Sequence, residues 1–206
     1  GDGVLTLSQA NTYTGNTAVN QGTVVVGNST SFGSGSVTFA ESTALEASTN
    51  ISLANAMKFN GQTTLNSKLA NTTLEVSNAI TGDGSLVKNG EGHLKLNAAN
   101  SYTGSTTINA GKVILGSSTA SFGTGMVALA NETALETSAN VTLANAVQLN
   151  GQATVNTTLN ASALAFSNTI TGTGSLTKTG LGTLSLNGEN TYKGGTTITE
   201  GNVIVS

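Results

Sequence analysis

The chain has 206 residues, of which 37% are hydrophobic, so it is long enough and apolar enough to bury a core. Only 8% of its residues are charged, against roughly 25% in a typical globular protein, and it has 26 glycines but no proline, cysteine or tryptophan. All seven basic residues are lysines and the net charge is −3, so the sequence offers no basic face for phosphates and argues against nucleic acid as a partner.

The sequence shows no membrane span and no export signal. No apolar run approaches the roughly 18 residues that a spanning helix needs, and Gly1 is not followed by the charged and apolar regions of a signal peptide. The absence of cysteine fits a reduced cytosolic protein and an exported protein without disulfides equally well. The compartment therefore has to be inferred from other features.

Internal repetition organises the whole chain. Residues from Gly1 match residues from Gly90 at an offset of 89, and one inserted residue near Ser118 makes the offset 90 thereafter. We interpret residues 1–206 as a single repetitive segment, with units at about 17–105, 106–195 and 196–206 and with 1–16 as the end of a preceding unit. Because it starts and stops within a repeat, we expect it to be part of a longer protein.

Each copy divides into four pieces that resemble the coils of a solenoid. In the second copy these are 106–125, 126–145, 146–172 and 173–195, so the third piece is the longest, at 27 residues. Within the pieces, apolar residues alternate with the period of a strand, and no window keeps the spacing of a helix. Examples in chain order are Leu5 and Leu7, Val37 and Phe39, Leu74 and Val76, Leu94 and Leu96, and Leu164 and Phe166.

Two all-β architectures fit this pattern. A sandwich made of hairpins would place tight turns at Asn60-Gly61, Asn89-Gly90 and Asn150-Gly151, but the pattern fits these only locally. Periodicity at the length of a coil favours a parallel β-helix instead. With strands about 4.8 Å apart, about nine coils would form a rod on the order of 40 Å long.

A gapped motif of about 34 residues gives a resemblance to a known family. It reads Gly-x-Gly-x-Leu-x-Lys-x-Gly at 82–90 and again at 172–180, followed by Leu-x-Leu-Asn, then Asn-x-Tyr-x-Gly, then Thr-Ile. It is whole once, nearly whole once, and present as a half at the start of the chain. This motif resembles the passenger-associated strand repeat of bacterial autotransporters.

The residues that define the repeat are predicted to be structural. They are Gly82, Gly84, Leu86, Lys88, Gly90, Leu94, Leu96, Asn97, Asn100, Tyr102, Gly104, Thr107, Ile108 and Gly111 in one copy, and Gly172, Gly174, Leu176, Lys178, Gly180, Leu184, Leu186, Asn187, Asn190, Tyr192, Gly194, Thr197, Ile198 and Gly201 in the next. Asparagine at these places suits turns, because its side chain can bond neighbouring backbone.

The resemblance implies an all-β, right-handed parallel β-helix without substantial α-helix. It implies a passenger secreted by the type V route, lying between an export signal and an outer-membrane β-barrel that anchors the parent, and displayed on or released from a Gram-negative cell. In this family the repeat marks a stalk. We therefore expect a structural segment of an adhesin that supports adhesion or autoaggregation, with a second copy of itself or a host-surface protein or glycan as the partner.

The sequence offers little that could carry catalysis. His93 is the only histidine, its counterparts are Val4 and Thr183, and no spacing brings it to a serine and an aspartate, so a solvated outer-face position is expected. Glu46 and Glu136 recur, but copies four coils apart would separate them by about 20 Å, too far for a glycosidase pair. We predict no enzyme and no catalytic residue, and expect these carboxylates to be solubilising charges.

No cofactor or metal site is predicted either. Gly82-Asp83-Gly84 approaches a calcium-binding repeat, but its second copy has Thr173 in place of the carboxylate. Tyr13, Tyr102 and Tyr192 recur at one position, too widely spaced for a sugar-binding platform, and are expected to pack over turns. The ligand-binding residues are unknown. Two alternatives stay open: a carbohydrate-active β-helix such as a lyase, and the stalk of a toxin or protease passenger.

Overall fold

Every strand of the chain pairs in parallel with a strand one turn earlier or later. The computed structural model describes residues 1–206 and consists of 25 strands joined by turns, with no helix. The strands are β1 (Val4–Leu7), β2 (Thr17–Val19), β3 (Thr23–Val26), β4 (Val37–Phe39), β5 (Thr43–Ala47), β6 (Ile51–Leu53), β7 (Met57–Phe59), β8 (Thr63–Ser67), β9 (Thr73–Val76), β10 (Ile80–Thr81), β11 (Leu86–Asn89), β12 (His93–Leu96), β13 (Thr106–Ile108), β14 (Lys112–Leu115), β15 (Val127–Leu129), β16 (Thr133–Thr137), β17 (Asn140–Leu143), β18 (Val147–Leu149), β19 (Ala153–Thr157), β20 (Ala163–Phe166), β21 (Ile170–Gly172), β22 (Leu176–Thr179), β23 (Thr183–Leu186), β24 (Thr196–Ile198) and β25 (Asn202–Val205).

The strands form three sides of a prism. Face 1 is a nine-stranded sheet in the order β1, β3, β5, β8, β11, β13, β15, β18, β21. Face 2 is an eight-stranded sheet in the order β6, β9, β12, β14, β16, β19, β22, β24. Face 3 holds two four-stranded sheets, β2-β4-β7-β10 and β17-β20-β23-β25, which lie between faces 2 and 1 in chain order. The prediction of an all-β parallel solenoid is confirmed.

The solenoid has about ten turns where the sequence predicted about nine. On face 1, Thr23 pairs with Val4 and Val87 pairs with Thr64, so one turn takes 19 residues at its shortest and 23 at its longest. The predicted piece of 27 residues is therefore wrong, because the residues of one repeat are shared among more than four turns. The hand of the coil stays a prediction.

One repeat advances the chain by four full turns and then by one further face of the prism, which is a third of a turn. From β1 to β11 the chain makes four turns and returns to face 1, whereas β12, the counterpart of β1 in the next copy, lies on face 2. In the same way, β3 on face 1 corresponds to β14 on face 2, and β9 on face 2 corresponds to β20 on face 3. Equivalent residues of successive repeats therefore point in different directions.

Alternate residues of each strand fill the interior with one continuous core of 40 buried hydrophobic residues. On face 3 the core is aromatic: the rings of Phe39 and Phe59 meet edge to face at 5.8 Å, and Tyr102 lies 5.9 Å from Phe59. Tyr102 belongs to segment 97–105, which forms no strand but stacks on β10, since Ser101 N donates to Ile80 O at 2.9 Å. Aromatic bulk thus continues the core across the gap between the two sheets of face 3.

The structure contains no helix with the length and apolar character required to cross a membrane.

At the corners, glycines of successive turns stack in close contact, and this gives a first prediction. A methyl group added at Gly84 would lie 2.1 Å from Gly61 O, whereas one added at Gly15 would meet nothing within 4 Å. We expect Gly84→Ala to lower the free energy of unfolding by roughly 2 kcal/mol or more, because neighbouring turns would have to separate, and Gly15→Ala to have little effect. Denaturant unfolding of both variants measures this, and equal stabilities would contradict it.

Candidate functional surface

The repeat-defining glycines lie at the corners of the prism, where the sequence placed turns. Six of them have positive φ: Gly82, Gly90, Gly111, Gly172, Gly180 and Gly201. The remaining four are Gly84, Gly104, Gly174 and Gly194, and a Cβ on each would lie within 2.6 Å of the backbone of the preceding turn. The corners therefore need glycine for two different reasons, and only the first is visible in a sequence.

The repeat-defining leucines and isoleucines point inwards, and the threonines point outwards on the strands. Leu86, Leu94, Leu96, Ile108, Leu176, Leu184 and Leu186 are buried, while Ile198 in the last turn is 54% exposed. Thr107 and Thr197 lie on outer rows, of face 1 and face 2 respectively. None of these residues converges on a pocket, so the repeat builds the coil and no single site.

Each recurring tyrosine is paired with a threonine four residues later. The Tyr102 hydroxyl lies 2.6 Å from Thr106 Oγ1 and is fully buried, and burial raises the pKa of Tyr102 to about 12. The pair Tyr13 and Thr17 is joined at 2.8 Å, and Tyr192 is hydrogen-bonded to Thr196 in the same way. Tyr102 therefore lies in the core against Phe59 and not over a turn, as the sequence had suggested, and the three tyrosines do not form a stacking platform for a ligand.

The recurring asparagines bond neighbouring turns. Asn100 Oδ1 accepts a hydrogen bond from Ile80 N at 2.8 Å, and its Nδ2 donates to Ser121 O, so one side chain links three turns. Asn190 repeats the first contact with Ile170 N at 2.9 Å. Asn97 Nδ2 donates to Glu75, and Asn187 Oδ1 accepts from Ser206 Oγ at 3.1 Å.

Lys88 and Lys178, which were predicted to be structural residues of the repeat, have fully buried side chains. The stem of Lys88 occupies a place in the inward row between Leu65 and Ile108. Its Nζ donates to Asn89 O at 2.8 Å, Gly90 O at 2.7 Å and Ala110 O at 3.3 Å, so all three ammonium hydrogens are used. Lys178 Nζ reaches Thr179 O, Gly180 O and Glu200 O in the same arrangement.

This lysine cage closes a corner and ties it to the next turn. Gly90 O and Ala110 O accept no backbone N–H, so Lys88 is their donor. Burial lowers the pKa of Lys88 from 10.5 to about 8, and Glu91 partly opposes that shift. Burial also lowers the pKa of Lys178. A repeated lysine in a strand pattern reads as a solvated charge, and its burial became visible only with the fold.

The sequence suggested that Glu46 and Glu136 are free solubilising charges. In the structure they instead form ion pairs and hydrogen bonds with residues of neighbouring turns. Glu46 lies 2.9 Å from Lys68 Nζ and accepts a hydrogen bond from Asn66 Nδ2 at 3.0 Å. Glu136 lies 2.7 Å from Lys112 Nζ and accepts from Asn156 at 3.0 Å. The two carboxylates also lie on different faces, 1 and 2, which the assumption of four coils per copy had missed.

His93 lies on the outer side of β12, half buried, with Thr73 and Lys112 as its neighbours in register. Burial lowers its pKa, and Lys112 lowers it further. Its hydrogen bonds are made by the backbone, since His93 N donates to Thr72 O at 2.7 Å and His93 O accepts from Ser67 Oγ at 2.9 Å. The structure gathers no group of three or more His, Asp or Glu that could hold a metal ion.

The outer surfaces of the faces differ in charge. On face 1, nine side chains stack in register with no charge among them, and we call this set the neutral row: Val4, Thr23, Ala44, Thr64, Val87, Thr107, Ala128, Gln148 and Thr171. Beside it, Glu46 is the one charged strand residue of the face that points outwards, and it is paired with Lys68; Lys88 on β11 points inwards. On face 2 the corresponding rows contain Glu75, His93, Lys95, Lys112 and Glu136.

The concave sites of the molecule are its two open ends and shallow polar grooves. The first end is a cavity of about 350 Å³ lined by residues such as Leu5 and Phe32, and the other measures about 390 Å³ beside Tyr192 and Val203. The largest polar groove, about 550 Å³, runs past Glu41, Gly84 and Gly104. Its Glu41 is already engaged, because it accepts a hydrogen bond from Gln62 N at 2.7 Å.

Comparison with known proteins finds relatives of the repeat. Residues 1–26, 86–115 and 176–205 match the model of the family described as passenger-associated-transport-repeat. An alignment 124 residues long, which covers 54% of this chain, shows 36% identity to a protein named "Adhesin BmaC autotransporter" from Brucella suis biovar 1 (strain 1330). The match spans 4% of the length of that protein. No solved structure matches the chain.

The lysine cage predicts a loss of stability on mutation. In Lys88→Met the apolar stem is kept, but the partly buried Gly90 O and Ala110 O lose their donor, so we expect the free energy of unfolding to fall by roughly 1–3 kcal/mol. The control is Lys58→Met, since Lys58 is exposed and forms no ion pair. Denaturant titration at pH 7 compares the two, and an equal or larger loss in the control would contradict the role of the cage.

The cage also predicts an unusual dependence of stability on pH. Because the folded pKa of Lys88 is about 8 and the unfolded value is 10.5, the unfolded chain binds more protons between these pH values. Stability should therefore rise with pH from about 8 towards 10, with a slope of up to about 1.4 kcal/mol per pH unit from Lys88, and level off below about 8, where Lys88 is protonated in both states. Unfolding free energies of the wild type and of a Lys88→Met/Lys178→Met variant test this, and the slope should disappear in the variant.

Proposed function

Because the chain carries three copies of the autotransporter passenger repeat, we propose that it is a non-enzymatic stalk segment that holds an adhesin at the surface of a Gram-negative cell. The observation that carries this proposal is the continuity of the coil: about ten turns follow one another and share a single core of 40 residues, with no folded insertion between them. At about 4.8 Å per turn, the segment acts as a rigid spacer of nearly 50 Å.

The name of the similar Brucella protein, an adhesin, supports adhesion as the task of the parent. The segment also offers long outer rows of threonine, asparagine and glutamine, which both donate and accept hydrogen bonds. Each such bond contributes about 0.5–1.5 kcal/mol, so many weak contacts along a rod can hold two surfaces together without a pocket. Cell-surface adhesion or autoaggregation is the expected result.

The chemistry of the residues supports a role without catalysis. The recurring carboxylates are engaged with lysines and asparagines of neighbouring turns, and the sole histidine lies beside Thr73 and Lys112. The buried lysines donate all their ammonium hydrogens to backbone oxygens of the corner turns. No observation favours the carbohydrate-active or toxin-bearing alternatives over a stalk.

A deletion in register tests the proposal. Removing residues 106–195 joins Ser105 to Thr196, the counterpart of Thr106, so the coil is restored across the junction. In cells that display the parent protein, we expect this deletion to preserve folding and surface level but to reduce clumping and host-cell binding several-fold, because it shortens the rod by roughly 21 Å and removes outer rows. Flow cytometry of displayed protein, settling assays and host-cell binding provide the measurement.

Removal of the whole segment, 1–206, is the stronger variant in the same assay. If both deletions left clumping and host-cell binding unchanged at equal surface display, the stalk function proposed here would be wrong. Hydrolysis or cleavage of a polysaccharide by the purified chain would likewise contradict it and favour a carbohydrate-active protein.

A further inference from the structure

The neutral row of face 1 owes its neutrality to differences between the two copies. Gln148, in the eighth strand of the face, stands where the first copy has Lys58, and Thr173, just beyond the ninth strand, stands where it has Asp83. In the first copy those charged residues belong to face 3, on or just after β7 and β10. Since each repeat advances by one extra face, identical copies would have placed a lysine and an aspartate on face 1. The replacements leave the neutral row without charge along its full length, and Glu46 beside it is paired with Lys68.

A flat surface depleted of charge has the composition of an interface core, in which charged residues are scarce because they are costly to desolvate. Face 1 is also the longest sheet of the molecule, with nine strands in unbroken register. We propose that face 1 docks a second copy of this chain. The proposal rests on the proposed function, because contact between like rods is how a stalk would support autoaggregation.

A second copy fits this surface better than a charged partner does. The neutral row offers no charge with which to attract an ionic ligand, and two such rows facing each other meet no like-charge repulsion. Threonine and glutamine side chains donate and accept alike, so a row of them is complementary to its own two-fold copy. Small side chains such as Ala44 and Val87 between them allow the two sheets to approach at about 10 Å.

The area sets the strength of the contact. Eight steps of about 4.8 Å make face 1 nearly 40 Å long, and three residue spacings of about 3.3 Å make its strands about 10 Å wide. Two copies would bury roughly 800 Å² in total, below the roughly 1,200 Å² of a stable complex. One pair of segments therefore associates weakly and reversibly, and rods displayed in large numbers reach useful strength through multivalency.

Two matched variants test which face is used. Gln148→Lys places on face 1 the residue found at the equivalent position of the first copy, and Ser185→Lys does the same on face 3, where the first copy has Lys95. Both sites are half buried in the centre of a strand, and both variants change the net charge from −3 to −2. The host backbone accepts lysine at both equivalent positions already, so the two variants are expected to fold alike, which circular dichroism and thermal unfolding check.

Sedimentation equilibrium of the 206-residue chain, from micromolar to about 1 mM, measures association. We expect reversible dimers for the wild type, dimers of similar strength for Ser185→Lys, and association at least about tenfold weaker for Gln148→Lys, whose lysine would be buried against the uncharged row of the second copy without a counter-charge. A chain that stays monomeric over the whole range overturns the proposal.

Equal effects of the two lysines, or no effect of either, also overturn it, since association would then run through another face or through the open ends beside Leu5 and Val205. Each of these results leaves the stalk itself in place, because shortening the displayed rod tests that function on cells and does not depend on which face docks.

Discussion

Register between successive turns is the constraint on which the rest of this structure depends. In a parallel solenoid each side chain lies directly over its partner in the turn before, about 4.8 Å away, so a residue is tolerated only if its neighbours along the row accept it. The inward rows satisfy this with leucine, valine and isoleucine, and the third face with Phe39, Phe59 and Tyr102. The outer rows satisfy it with amides, hydroxyls and ion pairs such as Glu136 with Lys112.

The corners meet the same constraint with different chemistry. A turn cannot form a strand ladder, so its carbonyl groups need other donors, and Lys88, Lys178, Asn100 and Asn55 supply them. Asn55 Nδ2, for example, reaches Gly33 O and Gly35 O of the previous turn. Glycine then lets the next turn lie close to this backbone. Two of the seven lysines of this weakly charged protein are thus buried in the interior, where each donates hydrogen bonds to the carbonyl groups of a corner.

Much of the fold could be predicted from the sequence, because strand alternation, the absence of a helical period and the offset of 89 to 90 residues are all local or periodic features. The number of turns in each repeat could not be predicted from the sequence. An offset fixes which residues are equivalent, but not how many turns separate them, since turns of 19 to 23 residues can fill the same length in different ways. Because the sequence leaves the number of turns open, it predicts Glu46 and Glu136 on the same face. For the same reason it could not identify the neutral row, whose members come from two copies. The buried lysines were hidden for a related reason: in an alternating pattern Lys88 has the parity of an inward residue, but its charge suggests an outward one.

The extra third of a turn in each repeat has a consequence for how such stalks change in length. Adding one repeat of 89 or 90 residues moves everything beyond it outward by about 21 Å and also turns it by about 120° around the rod axis, as the shift from β1 on face 1 to β12 on face 2 shows. The number of repeats therefore determines both the length of the rod and the direction in which its distal part points. Only stalks that differ by multiples of three repeats would aim a distal part in the same direction, so gain or loss of a single unit reorients whatever the rod carries without altering any residue of it.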